Sequence, residues 1–260
     1  MTQYIQSIER AVRVLKVLSE GDNLMGVTEI AEKLNLGKST VHRILASLMR
    51  SNMVRLNPTS HQYSLGYGLL QLTAGLLRSS EISITALSYL RDLRQETGET
   101  VALNVRDHDY RTVVERLDTL HEIRYVTEIG RPIPLDVGAG GKAILAFMDE
   151  IEVRRIQKLS KLSRKQVRDL DRELADIRAK GTACTFGERF PGAGAIAAPV
   201  FNHVGDVIAS VIVLCLESRL DTATIAVFRK LVQKTATNIS RELGWQAEGS
   251  RQLRERVAAR

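Results

Sequence analysis

At 260 residues, 44% hydrophobic and 26% charged, the chain has the make-up of a globular protein. It has room for one domain of about 80 residues and a second of about 170. Its net charge of +7 is uneven: nine Lys/Arg face five Asp/Glu in residues 1–80, 24 face 23 in 81–245, and four face two in 246–260. This excludes a disordered chain and a disulfide scaffold. The lack of any apolar run near 18 residues excludes a helical membrane protein, and the leaderless start MTQYIQSIERAV predicts a cytoplasmic location.

Taken in order, Ser7 is expected to cap a helix over Ile8 to Glu20, with Ile8, Ala11, Val12, Leu15 and Leu18 inward and Gly21-Asp22-Asn23 as its stop. Thr28 to Leu34 is a shorter amphipathic helix, with Thr28 as N-cap and Glu29 at its positive end. Asn35-Leu36-Gly37 makes a tight connection in which Gly37 supplies positive φ. The next helix has two faces. Val41, Ile44, Leu45, Leu48 and Met49 form an apolar stripe at i, i+3, i+4, i+7 and i+8. The opposite face carries Ser39, Arg43, Ala46 and Arg50, flanked by Thr40, His42 and Ser47, with no acid and no large apolar residue. All its polar groups can donate a hydrogen bond to a phosphate or a base edge.

Two short strands follow, Met53 to Leu56 and Gln62 to Leu65, with Val54, Leu56, Tyr63 and Leu65 available to face inward. Helix, short turn, donor-rich helix and hairpin make a winged helix-turn-helix, spanning residues 1–66. Thr28, Lys38, Ser39, Thr40, His42, Arg43, Ser47 and Arg50 are its candidate DNA contacts. Gly37-Lys38-Ser39-Thr40 resembles the end of a phosphate-binding loop, but that loop needs a glycine where Glu32 stands. A leucine-rich helix, Tyr67 to Arg78, forms a linker over 67–80 whose apolar surplus points to a partner subunit.

From Glu81 a second domain runs to residue 245. It opens with a helix over Ile82 to Glu96, stopped by Gly98, and strands over Thr100–Val105, Thr112–Leu117 and Ile123–Ile129. GRPIPLDVGAGGKAILAFM is read as a loop opening into an apolar helix near Gly141. Helices over Glu150–Leu159 and Arg164–Lys180 follow, then strands over Cys184–Glu188, Gly194–Phe201 and Val207–Leu216, and a final helix to Leu243 capped by Asp221 or Thr222. Separate runs of strands and helices predict α+β with a largely antiparallel sheet. Residues 246–260 form a basic tail. Cys184 and Cys215 read as core residues, and the five histidines lack metal spacing. No hydrolase or metalloprotease motif occurs, so an enzyme is not expected, nor a metal or cofactor.

Three stretches together resemble the IclR family of bacterial transcriptional regulators: LGKSTVHRILASL, GRPIPLDVGAGGKAILAFM and GAGAIAAPVFNHVGDVIASVIV. The resemblance implies a GAF-like effector domain, a homodimer or dimer of dimers on a pseudo-palindromic operator in double-stranded DNA, and a small-molecule effector. It places Ala139, Gly140, Gly141, Glu188, Ala195, Ile212 and Leu214 at the effector site. Exposed amides at a helix N-terminus bind carboxylates, although a glycine turn also serves close packing alone. Alternation in VIASVIVLCL leaves open whether Ile212 and Leu214 line the pocket or the ordinary core. The expected effector is an organic acid with an apolar or aromatic body, and the regulator a repressor. The alternative is a non-sensing DNA-binding protein whose second domain only oligomerises.

Overall fold

The apolar spacing of the first fifty residues builds three helices around one small core: α1 (Gln6–Ser19), α2 (Val27–Leu34) and α3 (Lys38–Arg50). Val14, Leu18, Ile30, Leu34, Val41 and Leu45 fill it, each such side chain contributing about 1.5–3 kcal/mol when fully buried. Ile8 and Val12, expected inside, are 59% and 44% exposed. The stripe that meets the core runs Ala11, Val14, Leu15, Leu18, and those two residues lie beside it. The computed structural model describes residues 5–20, 24–79, 81–124 and 127–246, with 76–79 by backbone alone. The stop expected at Gly21-Asp22-Asn23 and the tail from 247 lie outside these. The chain divides into two compact units, Met1–Ser79 and Ser80–Arg260.

Helix starts in the first unit differ from expectation. Neither Ser7 nor Thr28 caps: the N-caps are Ile5 and Gly26, and neither helix has a side-chain cap. Met25 exchanges backbone hydrogen bonds with Tyr63 in both directions, and the chain turns into α2 directly after this bridge, at Val27, so Thr28 lies inside the first turn rather than at the cap. In the turn before α3, positive φ falls on Asn35 (52°), while Gly37 is extended at −65°. The wing is β1 (Val54–Leu56) paired antiparallel with β2 (Tyr63–Leu65). Val54 and Tyr63 are buried, but Leu56, at the tip, is 38% exposed. Gly66 closes the wing because a β-carbon there would sit 2.2 Å from the Asn52 carbonyl oxygen. Helix α4 (Gly68–Ser79) follows, with Leu70 and Leu72 about 60% exposed.

The second unit is a six-stranded antiparallel sheet covered on both faces. Its strands are β3 (Thr100–Asp107), β4 (Tyr110–Leu117), β5 (Pro132–Pro134), β6 (Ala183–Phe186), β7 (Ala193–Phe201) and β8 (Val207–Leu216), in the order β5-β4-β3-β8-β7-β6. One face packs on α5 (Glu81–Thr97) and α9 (Thr222–Glu242) through Leu90, Leu93, Val101, Leu103, Val211, Val213 and Ile239. The other packs on α6 (Gly138–Leu145), α7 (Glu150–Leu159) and α8 (Arg164–Lys180) through Ala102, Val113, Ile144, Leu174, Ala195, Ile212 and Leu214. The expected cap Asp221 accepts from Thr224 N at 2.7 Å; Ser163 and Gln166 add a capping box not foreseen from the sequence, and Gly181 ends α8 at positive φ. Cys215 is buried in the α5/α9 core with its thiol pKa pushed up to about 12, chiefly by that burial.

Two departures matter for the site. The strand expected over Ile123–Ile129 is absent from its described residues (125 and 126 are not among them). Arg219 donates to the Ile123 carbonyl and Arg116 to that of Thr127, so arginines satisfy backbone groups that a ladder would otherwise pair. The strand beside β4 is instead the proline-flanked β5, and prolines suit an edge. Second, the β3–β4 register shifts between Leu103 and Asn104: Leu103 faces Glu115 but Asn104 faces Val113, leaving Val114 as the extra residue of a bulge.

Candidate DNA face and inner cavity

On the first unit, the second helix of the motif presents Lys38, Ser39, His42, Arg43, Ser47 and Arg50 exposed, with Thr40 half-buried at its N-terminal end. Val41 and Leu45 on the opposite side anchor the helix at zero exposure. Ser47 already donates to the Arg43 carbonyl at 3.0 Å. Thr28 is exposed on α2, one helix earlier. The wing is braced by Arg55, which donates to Ser64 Oγ at 2.9 Å and lies over the Tyr67 ring at 4.9 Å.

In the second unit the described residues enclose a cavity between the first turn of α6 and the sheet. Ala139, Glu188, Ala195, Ile212 and Leu214 line it, together with Asn104, Arg111, Thr127, Thr185, Arg189 and Phe190. Ile212 and Leu214 belong both to this lining and to the packed core on that face. The room for water centres is about 30 Å³, whereas one water needs about 10–15 Å³. The space is therefore small, and any guest larger than a few waters requires side chains to move.

Gly140 and Gly141 do not line this cavity, and the segment 139–141 is not a loop but the first turn of α6, which begins at Gly138. The bare-amide cradle expected from the sequence is largely committed to the protein itself. Gly138 N donates to Glu188 Oε2 at 2.9 Å and Ala139 N to Thr185 Oγ1 at 3.1 Å. Gly141 is a packing glycine: a β-carbon there would lie 2.4 Å from the Leu135 carbonyl oxygen. Gly140 leaves space for side chains, since its β-carbon would lie 3.0 Å from Asn104 Nδ2 and 3.3 Å from Arg111 Cζ.

Glu188 is held from two sides. Besides Gly138 N, its other oxygen accepts from Lys142 Nζ at 2.5 Å, and Lys142 also reaches Glu173 at 2.6 Å. Burial works against the charge on Lys142, but its hydrogen bonds and proximity to the two carboxylates outweigh that, and its pKa lies above the ordinary lysine value. Behind the cavity a polar relay fixes Arg111. Ser210 Oγ donates to the Gly140 carbonyl at 2.9 Å, Asn104 Nδ2 to Ser210 Oγ at 3.4 Å, and Arg111 to Asn104 Oδ1 at 2.5 Å.

The family model for the bacterial transcriptional regulator IclR C-terminal domain matches residues 74–241, and that for the IclR helix-turn-helix domain matches residues 7–58. The chain belongs to the IclR family. XynR, an HTH-type transcriptional regulator of Escherichia coli, is 31% identical over 250 residues, covering 94% of this chain and 99% of its own. The E. coli DNA-binding transcriptional repressor YiaJ is 30% identical over 249 residues, covering 92% and 88%. An IclR transcriptional regulator from Alicyclobacillus acidocaldarius superposes with a TM-score of 0.80 at 29% identity, covering 93% of this chain and all of that one. Family and relatives are transcriptional regulators, not enzymes, and this IclR-family chain is a DNA-binding regulator. Its described residues contain no cluster able to hold a metal and no helix long and apolar enough to cross a membrane.

The cavity residues missed in this IclR-family sequence are Asn104, Arg111, Thr127, Thr185, Arg189 and Phe190, with the small Gly138, Ala193 and Gly194 between them. Strand alternation counted back from Leu117, which packs on the α5/α9 side, puts Arg111 on that same side. The bulge at Val114 reverses the faces, so Val113 joins the cavity-side core and Arg111, 2% exposed, lines the cavity. Asn104 left a fainter signal, a lone amide in the apolar run Val101–Val105.

Proposed function

We propose that this regulator is a repressor whose second unit admits a small organic acid to the inner cavity and thereby alters operator binding. The observation that carries the reading is the convergence of Ala139, Glu188, Ala195, Ile212 and Leu214 on one cavity that also holds the buried Arg111. An apolar wall opposite a buried cation suits a carboxylate on a hydrocarbon or aromatic body. The repressor named YiaJ supports the direction of control. Lys38, Ser39, Thr40, His42 and Arg43 enter the major groove, and Arg50 lies nearer the backbone. Thr28 and Ser47 complete the contact surface.

The protein works in the cytoplasm as a homodimer or dimer of dimers, on half-sites spaced by about 34 Å or a multiple of it. The exposed leucines of α4 support a subunit contact there. The functional division is a DNA-binding part at 1–66, a linker at 67–80, a GAF-like effector and oligomerisation domain at 81–245 and a tail at 246–260. A thermal-shift screen of short polar and aromatic acids, paired with gel retardation of the operator, tests the reading. Acids that raise Tm are expected to release the DNA. If no acid changes either readout, the second unit only oligomerises.

A further inference from the structure

We propose that the anion receptor of the inner cavity is Arg111, seated against the first turn of α6 where Gly140 leaves it room, with the Thr127 hydroxyl as a second donor to the bound carboxylate. This rests on reading the cavity as an organic-acid site. It replaces the exposed helix amides that the glycine pattern suggests as the receptor. Those amides are engaged: Gly138 N by Glu188 and Ala139 N by Thr185, while Gly140 and Gly141 lie outside the lining.

The room at Gly140 suits a guanidinium instead. A β-carbon on Gly140 would lie 3.0 Å from the Asn104 amide and 3.3 Å from Arg111 Cζ, tighter than ordinary contact. Gly138, at a positive φ of 74°, answers the backbone turn into α6, and a β-carbon there would only touch Arg111 at 3.5 Å. Gly140 thus clears a bed for Arg111, and the Ser210–Asn104 relay sets its plane. Such pre-positioning lowers the ordering cost of binding. A fixed guanidinium fork matches a carboxylate in geometry and charge.

Thr127 is an independent sign. It is 3% exposed, lines the same cavity, and its Oγ1 has no hydrogen-bond partner among the described residues. A buried hydroxyl left unpaired is costly, and a ligand oxygen beside Arg111 would satisfy it. Arg189 adds a second positive charge to the lining, whereas the carboxylate of Glu188 is shared with Lys142 and Gly138 N.

The test is titration calorimetry of the full chain with benzoate and with pyruvate, each beside its uncharged amide. The wild type is expected to bind acid over amide. Arg111→Gln is expected to lose about tenfold or more in acid affinity and to leave amide affinity unchanged, Arg111→Lys to recover part of it, and Thr127→Val to lose several-fold, as for a lost charge-assisted hydrogen bond. If Arg111→Gln does not fold, Gly140→Ala and Thr127→Val read the same bed and the same second donor. Acid binding by the wild type that survives these changes within twofold overturns the receptor and leaves the organic-acid reading standing. Wild-type protein that binds neither acid overturns that reading, and the receptor with it.

Discussion

The outer face of α3 and the inner face of the second unit's sheet both collect polar side chains, but they use them in opposite ways. On α3 they stand in solvent, with Ser47 bonded to its own helix and Lys38, His42 and Arg43 extended outward. Such a surface costs little to fold and is read by residue type. Around the cavity, Asn104, Arg111, Lys142, Thr185 and Ser210 are buried and bonded inside the protein: the first two with Ser210 in one chain, Thr185 to Ala139 N, and Lys142 to Glu173 and Glu188. There the same groups hold the fold and define the site, so a change made for one purpose disturbs the other.

The sharpest way to break this contrast is to add one methyl group to each region. Gly141→Ala would place a β-carbon 2.4 Å from a backbone oxygen. It is expected to destabilise the second unit by about 3 kcal/mol or more, an overpacking at the upper end of its usual range. Urea unfolding followed by the fluorescence of Trp245, the chain's one tryptophan, checks this, since Trp245 stacks on Phe201 within that unit. Gly37→Ala, whose β-carbon would meet only Ser39 Oγ at 4.0 Å, is expected to cost no more than about 1 kcal/mol, as an N-cap exchange.

Next in size is Lys142→Met, which strands two carboxylates beside a buried stem. Glu173 is half exposed, which limits the expected loss to about 1–3 kcal/mol. The pH dependence follows from the direction of the shift. The folded pKa of Lys142 lies above the reference 10.5, so its stabilisation is complete below that value and fades only as pH rises through the folded pKa. Wild type and Lys142→Met should therefore converge in stability in strong alkali and nowhere between pH 6 and 9. Denaturant melts at stepped pH would show it.

The α3 substitutions should leave stability within about 0.5 kcal/mol. Arg43→Ala is expected to cost about 1–3 kcal/mol of operator affinity and relax one base position. Unchanged affinity in footprinting titrations would remove Arg43 from the contact set. Smallest is Lys38→Ala, expected to weaken all DNA sequences alike and lower the salt slope by about one unit.

The helix-turn-helix, its wing and the order of the second unit's helices were legible because each depends on a period that the chain states locally. The faces of α3 needed only 3.6-residue spacing. What failed depended on partners distant in sequence. Thr28 lost its capping role because α2 begins at Val27, directly after the bridge between Met25 and the distant Tyr63, and Ile123–Ile129 lost its ladder to Arg116 and Arg219. The glycines of α6 were visible, but not what they make room for. Gly141 yields to the Leu135 backbone and Gly140 to Arg111 and Asn104, and those neighbours come from elsewhere in the chain. Ile212 and Leu214 could not be divided between pocket and core because they serve both.

The extra residue at Val114 gives the cavity an unusual route to change. In a regular strand the inward set is fixed by identity, and altering it takes one substitution per position. Here the faces of β4 exchange at the bulge, so loss of a single residue between Arg111 and Leu117 would turn Arg111 to the α5/α9 side and bring its neighbours Tyr110 and Thr112 toward the cavity. Charge inside the site is thus set by chain length as well as by composition. A relative that keeps the arginine but drops one residue of this strand would have changed its chemistry without changing that letter.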